Sequence, residues 1–162
     1  MSAEPVAAGP AWLVIGVGNR DRGDDGVGPY VCDRLRRRVG EGARVVVCEG
    51  STLDLPLRWG PGDRVIVVDA VAPGARPGRV VTLDVTDDPL PHRGSVSTHD
   101  VDVSAAIELA RALGRMPSRL LVVGVEAEHT DVGASMSAPV VAAADAVVDQ
   151  LAELCRAITP GV

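Results

Sequence analysis

The sequence predicts an α/β fold: a three-layer α/β/α sandwich in which a twisted, mainly parallel sheet of about five strands carries helices on both faces. Two observations predict it. Short runs of β-branched residues alternate along the chain with stretches of helical apolar periodicity, the pattern of strands and covering helices. The runs are apolar throughout, which suits strands buried on both faces. Composition agrees: 46% of residues are apolar, and Trp12, Tyr30 and Trp59 are the only aromatics, so the core is expected to be aliphatic.

The elements follow in order. Trp12-Leu13-Val14-Ile15-Gly16-Val17-Gly18 reads as a first buried strand ending in glycines. A polar loop, Asn19 to Asp25, leads to a helix with Val27, Val31 and Leu35 four apart and Pro29 in its first turn, where a missing N–H does no harm. Arg34, Arg36, Arg37 and Arg38 end that helix, as cations complementing its negative end or as a docking patch. Arg44–Cys48 reads as a strand, Thr52–Trp59 as a short helix or turn, and Val65–Val68 as a second fully buried strand closed by Asp69. After the loop Ala72–Arg79 comes a strand over Val80–Val85. Val103, Ala106, Ile107, Ala110 and Leu113 mark an amphipathic helix, and Leu120–Val123 another strand. A last helix carries Val140, Val141, Ala144, Val147, Val148, Leu151, Leu154, Cys155 and Ile158 on one stripe.

At 162 residues the chain suits one domain, expected over 11–162, with 1–10 as a flexible tail and no repeat or linker. Sixteen arginines, no lysine and 22 acidic residues give a net charge of −6, which argues against a nucleic-acid partner. Cys32, Cys48 and Cys155 are odd in number and lack CxxC spacing, so neither a disulfide framework nor a zinc knuckle is expected. No basic residue precedes Arg20, as a secretory leader would require, and no apolar run reaches the ~20 residues of a membrane span. A cytoplasmic location without a membrane partner is expected.

Open α/β sheets bind their ligands beyond the carboxyl ends of the strands. Three polar segments belong there: the loop Gly16–Gly28, Asp69 behind its strand, and Ser97-Thr98-His99-Asp100 ahead of a helix. Two carboxylates and an imidazole delivered to one sheet edge, an acid of the loop with Asp69 and His99, would form an O/O/N donor set suited to nickel, zinc or iron. Each has an ordinary reading too, since Asp25 could cap the next helix, Asp69 could form a turn and His99 could be structural. The glycine loop is no dinucleotide fingerprint: GxGxxG needs glycine at position 21, where Asp21 stands. Spacing alone does not show that the three candidates meet.

The ordered set Gly16-x-Gly-Asn19-x₃-Gly23-Asp24-Asp25-Gly26-x-Gly28, VIVVDAV around Asp69, Ser97-Thr98-His99 and Gly124-Val125-Glu126 closely resembles the hydrogenase maturation protease family over about residues 12 to 158. The resemblance implies a twisted five-stranded sheet between helices. It implies an endopeptidase that removes the C-terminal extension from the large-subunit precursor of a nickel–iron hydrogenase. Carried over by position, it implies metal ligation by Asp25, Asp69 and His99, with Asp25 and Asp69 catalytic. Nickel would come from the precursor, with no permanent cofactor, and a monomer is expected. Under this reading hydrolysis is metal-assisted, with Asp25 or Asp24 as base toward water. No Ser or Cys sits in a GxSxG context, and an Asp25–Asp69 dyad is the aspartic-type variant. The alternatives are a non-catalytic nucleotide- or metal-binding module, or a relative that processes another metalloprotein. Three departures from the family pattern stand out: Asp21 between Arg20 and Arg22, Ala127 in place of a frequent proline, and Pro139 displaced by one position.

Overall fold

The computed structural model describes residues 11–88 and 103–157. Within them β1 (Trp12–Val17), β2 (Ala43–Cys48), β3 (Arg64–Val71), β4 (Val80–Asp84) and β5 (Arg119–Glu126) form one sheet in the order β2-β1-β3-β5-β4. The strands run parallel except β4, which lies antiparallel against β5. The reason is local: the loop 72–79 is too short for the crossover a parallel strand needs, so the chain doubles back. The helices are α1 (Val27–Val39), the short α2 (Leu55–Arg58), α3 (Val103–Ala112) and α4 (Ala138–Arg156). The observed fold class is the expected one. The expected tail 1–10, Ile158 and the segment holding His99 lie outside the described residues.

Alternate side chains of each strand enter different layers, as the pleat requires. Trp12 and Val14 of β1, with Ile66 and Val68 of β3, pack under α1 and α4. Leu13, Ile15 and Val17, with Val65 and Val67, pack under α2, Trp59 and α3. The core is aliphatic around two buried indoles, and Trp59 Nε1 donates to Arg115 O at 2.7 Å, which settles the one polar atom of its ring.

Two expectations change in detail. Asp69 does not close its strand: β3 continues to Val71, because β5 runs on beside it with Asp69 opposite Gly124 and Val71 opposite Glu126. Leu113 leaves the α3 stripe, because the helix stops at Ala112 and the side chain is 58% exposed. The arginines of α1 act as stitching. Arg36 donates to Val45 O at 3.0 and 3.2 Å, Arg38 pairs with Asp149 of α4, and Arg34 lies 3.9 Å over Tyr30.

Candidate active site

From β1 the chain crosses to β2 on one side and later returns to β3 on the other. The carboxyl ends of β1 and β3 therefore part company at a topological switch point, where α/β sheets open a crevice. The start of α1 is pressed onto this spot. A Cβ on Gly28 would stand 2.4 Å from Val17 O and 2.6 Å from Val68 O, so only glycine lets the helix begin on the strand ends. A 3₁₀ turn, Gly23–Gly26, precedes α1 and touches β3. It carries Asp25, while Asp69 follows Val68 on β3, so both predicted carboxylates lie at this edge.

The loop between β1 and the turn is organised by Asn19. Its N–H donates to Asp25 Oδ2 at 2.8 Å, and its Oδ1 accepts from Asp21 N at 2.8 Å, the side-chain turn that asparagine favours. Gly18 has φ of 138°, with Asp25 O where a Cβ would stand, so a larger residue would push the aspartate away. Asp25 is 2% exposed and does not cap α1, whose N-cap is Gly26 without a side-chain bond. The capping reading of Asp25 therefore falls. Arg20 ties the loop outward, pairing with Asp33 and, at 3.3 Å, with Glu49.

Asp24 faces elsewhere. It is fully buried, and its carboxylate accepts from Glu128 N at 2.8 Å, His129 N at 3.3 Å, Ser137 N at 2.6 Å and Ser137 Oγ at 2.8 Å. Burial alone would raise its pKa. The bonds from Ser137, Glu128 and His129 outweigh burial and hold the group below the ordinary carboxylate range. Both oxygens are occupied, which disfavours Asp24 as a base. Nothing in the sequence near the motif points to the partners of this clasp, Ser137 and the segment 127–137. The faint signal available was Ser137 ahead of Ala138-Pro139, a helix-start pattern, yet its hydroxyl serves Asp24 and makes no cap bond.

Asp69 is 4% exposed, and its Oδ1 accepts from Ala70 N at 2.8 Å. Strand parity sets it with Val65 and Val67 on the α3 side of the sheet. Asp25 and Asp69 are thus both buried. His99 lies outside the described residues, four positions ahead of α3. Among the described residues no group of three or more His, Cys, Asp or Glu side chains is placed to hold a metal ion.

Thiol chemistry finds no support here. Burial pushes Cys32 up to about 12 and raises Cys48 and Cys155 as well, so all three stay protonated near neutral pH. At the departures from the family pattern, the Ala127 N–H donates to Val71 O at 3.0 Å, a bond proline could not make. Asp21 is exposed at the rim, and its carbonyl accepts from Gly133 N at 2.6 Å.

Fold and site together define an α/β protein with two buried carboxylates at the switch point of its sheet. A family model described as HycI, hydrogenase maturation protease, matches residues 29–154. The hydrogenase expression/formation protein HupD of Bradyrhizobium diazoefficiens is 32% identical over 134 residues, covering 79% of this chain and 69% of that protein. Across the HupD relatives the chain spans 59% to 75% of their length. Among solved structures, the hydrogenase maturating endopeptidase HybD of Escherichia coli superposes with a TM-score of 0.72 at 23% identity, covering 91% of this chain and 93% of that one. The nickel–iron hydrogenase maturation protease HycI of Thermococcus kodakarensis gives 0.71 at 22% identity, covering 93% and 95%. The chain belongs to the hydrogenase maturation protease family and is a hydrolase of the protease class.

Proposed function

We propose that this protein is the endopeptidase that removes the C-terminal extension of a nickel-loaded hydrogenase large-subunit precursor, completing its maturation. The observation that carries the proposal is the pair of buried aspartates, Asp25 and Asp69, at the switch-point edge in a member of this family. In the proposed reaction the precursor's nickel is part of the substrate, and Asp25, Asp69 and His99 receive it. His99 joins on the strength of the motif resemblance and of its place in the chain ahead of α3.

Held by Asp25, Asp69 and His99, the precursor's nickel would supply the Lewis-acid character that orients and polarises the scissile carbonyl or a water. Asp25 takes a proton from the attacking water, whose oxygen bonds to the carbonyl carbon. The C–N bond breaks, and the proton passes to the departing amine of the extension. Asp24 is left out of this step, since four donors already fill its oxygens. The reaction is metal-assisted in this reading, with Asp69 holding the metal, in preference to an aspartic dyad.

No resident cofactor is proposed, and the working form is a monomer in the cytoplasm with no nucleic-acid or membrane partner. The three cysteines are free and buried, in keeping with a reducing compartment. No helix among the described residues is long and apolar enough to cross a membrane.

The test is incubation with nickel-loaded and nickel-free precursor, read by the loss of mass of the large subunit. The loaded precursor should be shortened and the nickel-free one left intact. Shortening of neither would overturn the proposal, and equal shortening of both would remove nickel from it.

A further inference from the structure

Asp25 sits in a 3₁₀ turn of four residues, too short to hold a geometry unaided. The geometry points to Asp24 and Ser137 as positioning residues that fix this turn, and with it Asp25, against the segment 127–137. The inference rests on the reading of Asp25 given above. Its ground is the side and direction of the bonds around Asp24. The carboxylate gathers four donors, all from residues 128 to 137 and more than a hundred positions away in the chain. The backbone repeats the attachment, with Asp24 N donating to His129 O at 3.0 Å and Gly23 N to Ala134 O at 3.1 Å. One residue further on, Asp25 turns the other way and accepts from Asn19 N at 2.8 Å. The turn is thus held from both sides, by the 127–137 segment through Asp24 and by the β1 loop through Asp25.

Ser137 shows where the fold commits its hydroxyl. It stands at the N-cap of α4, where a serine ordinarily accepts from the first helical turn. Here it makes no cap bond and donates to Asp24 at 2.8 Å, while its own N–H donates to the other oxygen at 2.6 Å. Loosening this clasp should shift Asp25 at the switch-point edge without removing it. That loss belongs in turnover, since displacement of about 1 Å can cost ~10²-fold in rate.

The experiment compares Ser137→Ala and Asp24→Asn with the wild type by two readouts, at a temperature well below the melting of each variant. The first is the backbone amide signal of Asn19, whose N–H lies on Asp25 Oδ2. The second is kcat and KM for cleavage of the nickel-loaded precursor. The Asn19 amide should move in both variants. Ser137→Ala should lose several-fold in kcat and Asp24→Asn ~10²-fold, with KM held within about twofold. An unmoved Asn19 amide with wild-type kcat in Ser137→Ala overturns the inference, and that variant decides alone if Asp24→Asn does not fold. If the wild type cleaves no precursor, the proposed function has failed, and the Asn19 amide then decides by itself: moved supports the positioning role, unmoved overturns it.

Discussion

Asp24 and Asp25 are neighbours of one kind, and the fold separates them by what their oxygens face. Asp24 is ionised and saturated by donors, so it behaves as part of the scaffold. A carboxylate held below its ordinary pKa of ~3.9 contributes stability that is fully present above that value and is lost as pH falls below it, toward the folded pKa. Wild-type melting temperature should therefore drop on acidification below about pH 4. Asp24→Asn should melt lower at neutral pH and show less of that acid-dependent fall. Parallel pH profiles for the two proteins would refute this. The motif Gly23-Asp24-Asp25-Gly26 was legible as a candidate site, but the different surroundings of its two acids were not. The deciding donors, at Glu128, His129 and Ser137, come from a segment with no local signal to tie it to the motif. Asp69 was legible as an acid directly behind a buried apolar run, whereas its place inside β3 and its burial were not.

At the scale of elements, the strands were readable because uninterrupted β-branched runs have few other places to go in a parallel sheet. Their ends were less so. β3 outruns its apolar run to Val71 because β5 supplies a ladder, a fact no local pattern contains. The antiparallel return of β4 follows from the short loop 72–79. The contact of α1 with the strand ends depends on Gly28, and it can be tested directly. Gly28→Ala would set a methyl against two backbone carbonyls that cannot rotate aside, so it should cost at least about 1–3 kcal/mol in denaturant unfolding and lower cleavage as well. Val67→Ala is the contrasting case. Val67 is fully buried beneath α3, and its truncation should cost about 2 kcal/mol through lost burial and the cavity left behind. Cleavage should survive at temperatures where that variant stays folded. Loss of activity in well-folded Val67→Ala would contradict this separation of core and site.

For the molecule as a whole, the sheet order places one carboxylate behind β1 and another on β3, at the one edge where neighbouring connections diverge. The proposed chemistry depends on these two groups far more than the fold does. Asn at position 25 keeps an acceptor for the Asn19 N–H, and Asn at position 69 keeps one for Ala70. Both variants should therefore fold, while each loses a negative charge that the metal would face. The most direct measurement is the cleavage rate of nickel-loaded precursor by wild type, Asp25→Asn and Asp69→Asn, with a thermal melt of each. Near-wild-type melting and at least ~10²-fold slower cleavage are expected in both variants. Wild-type cleavage by either variant, with its melt unchanged, would contradict the claim that these two aspartates carry the reaction.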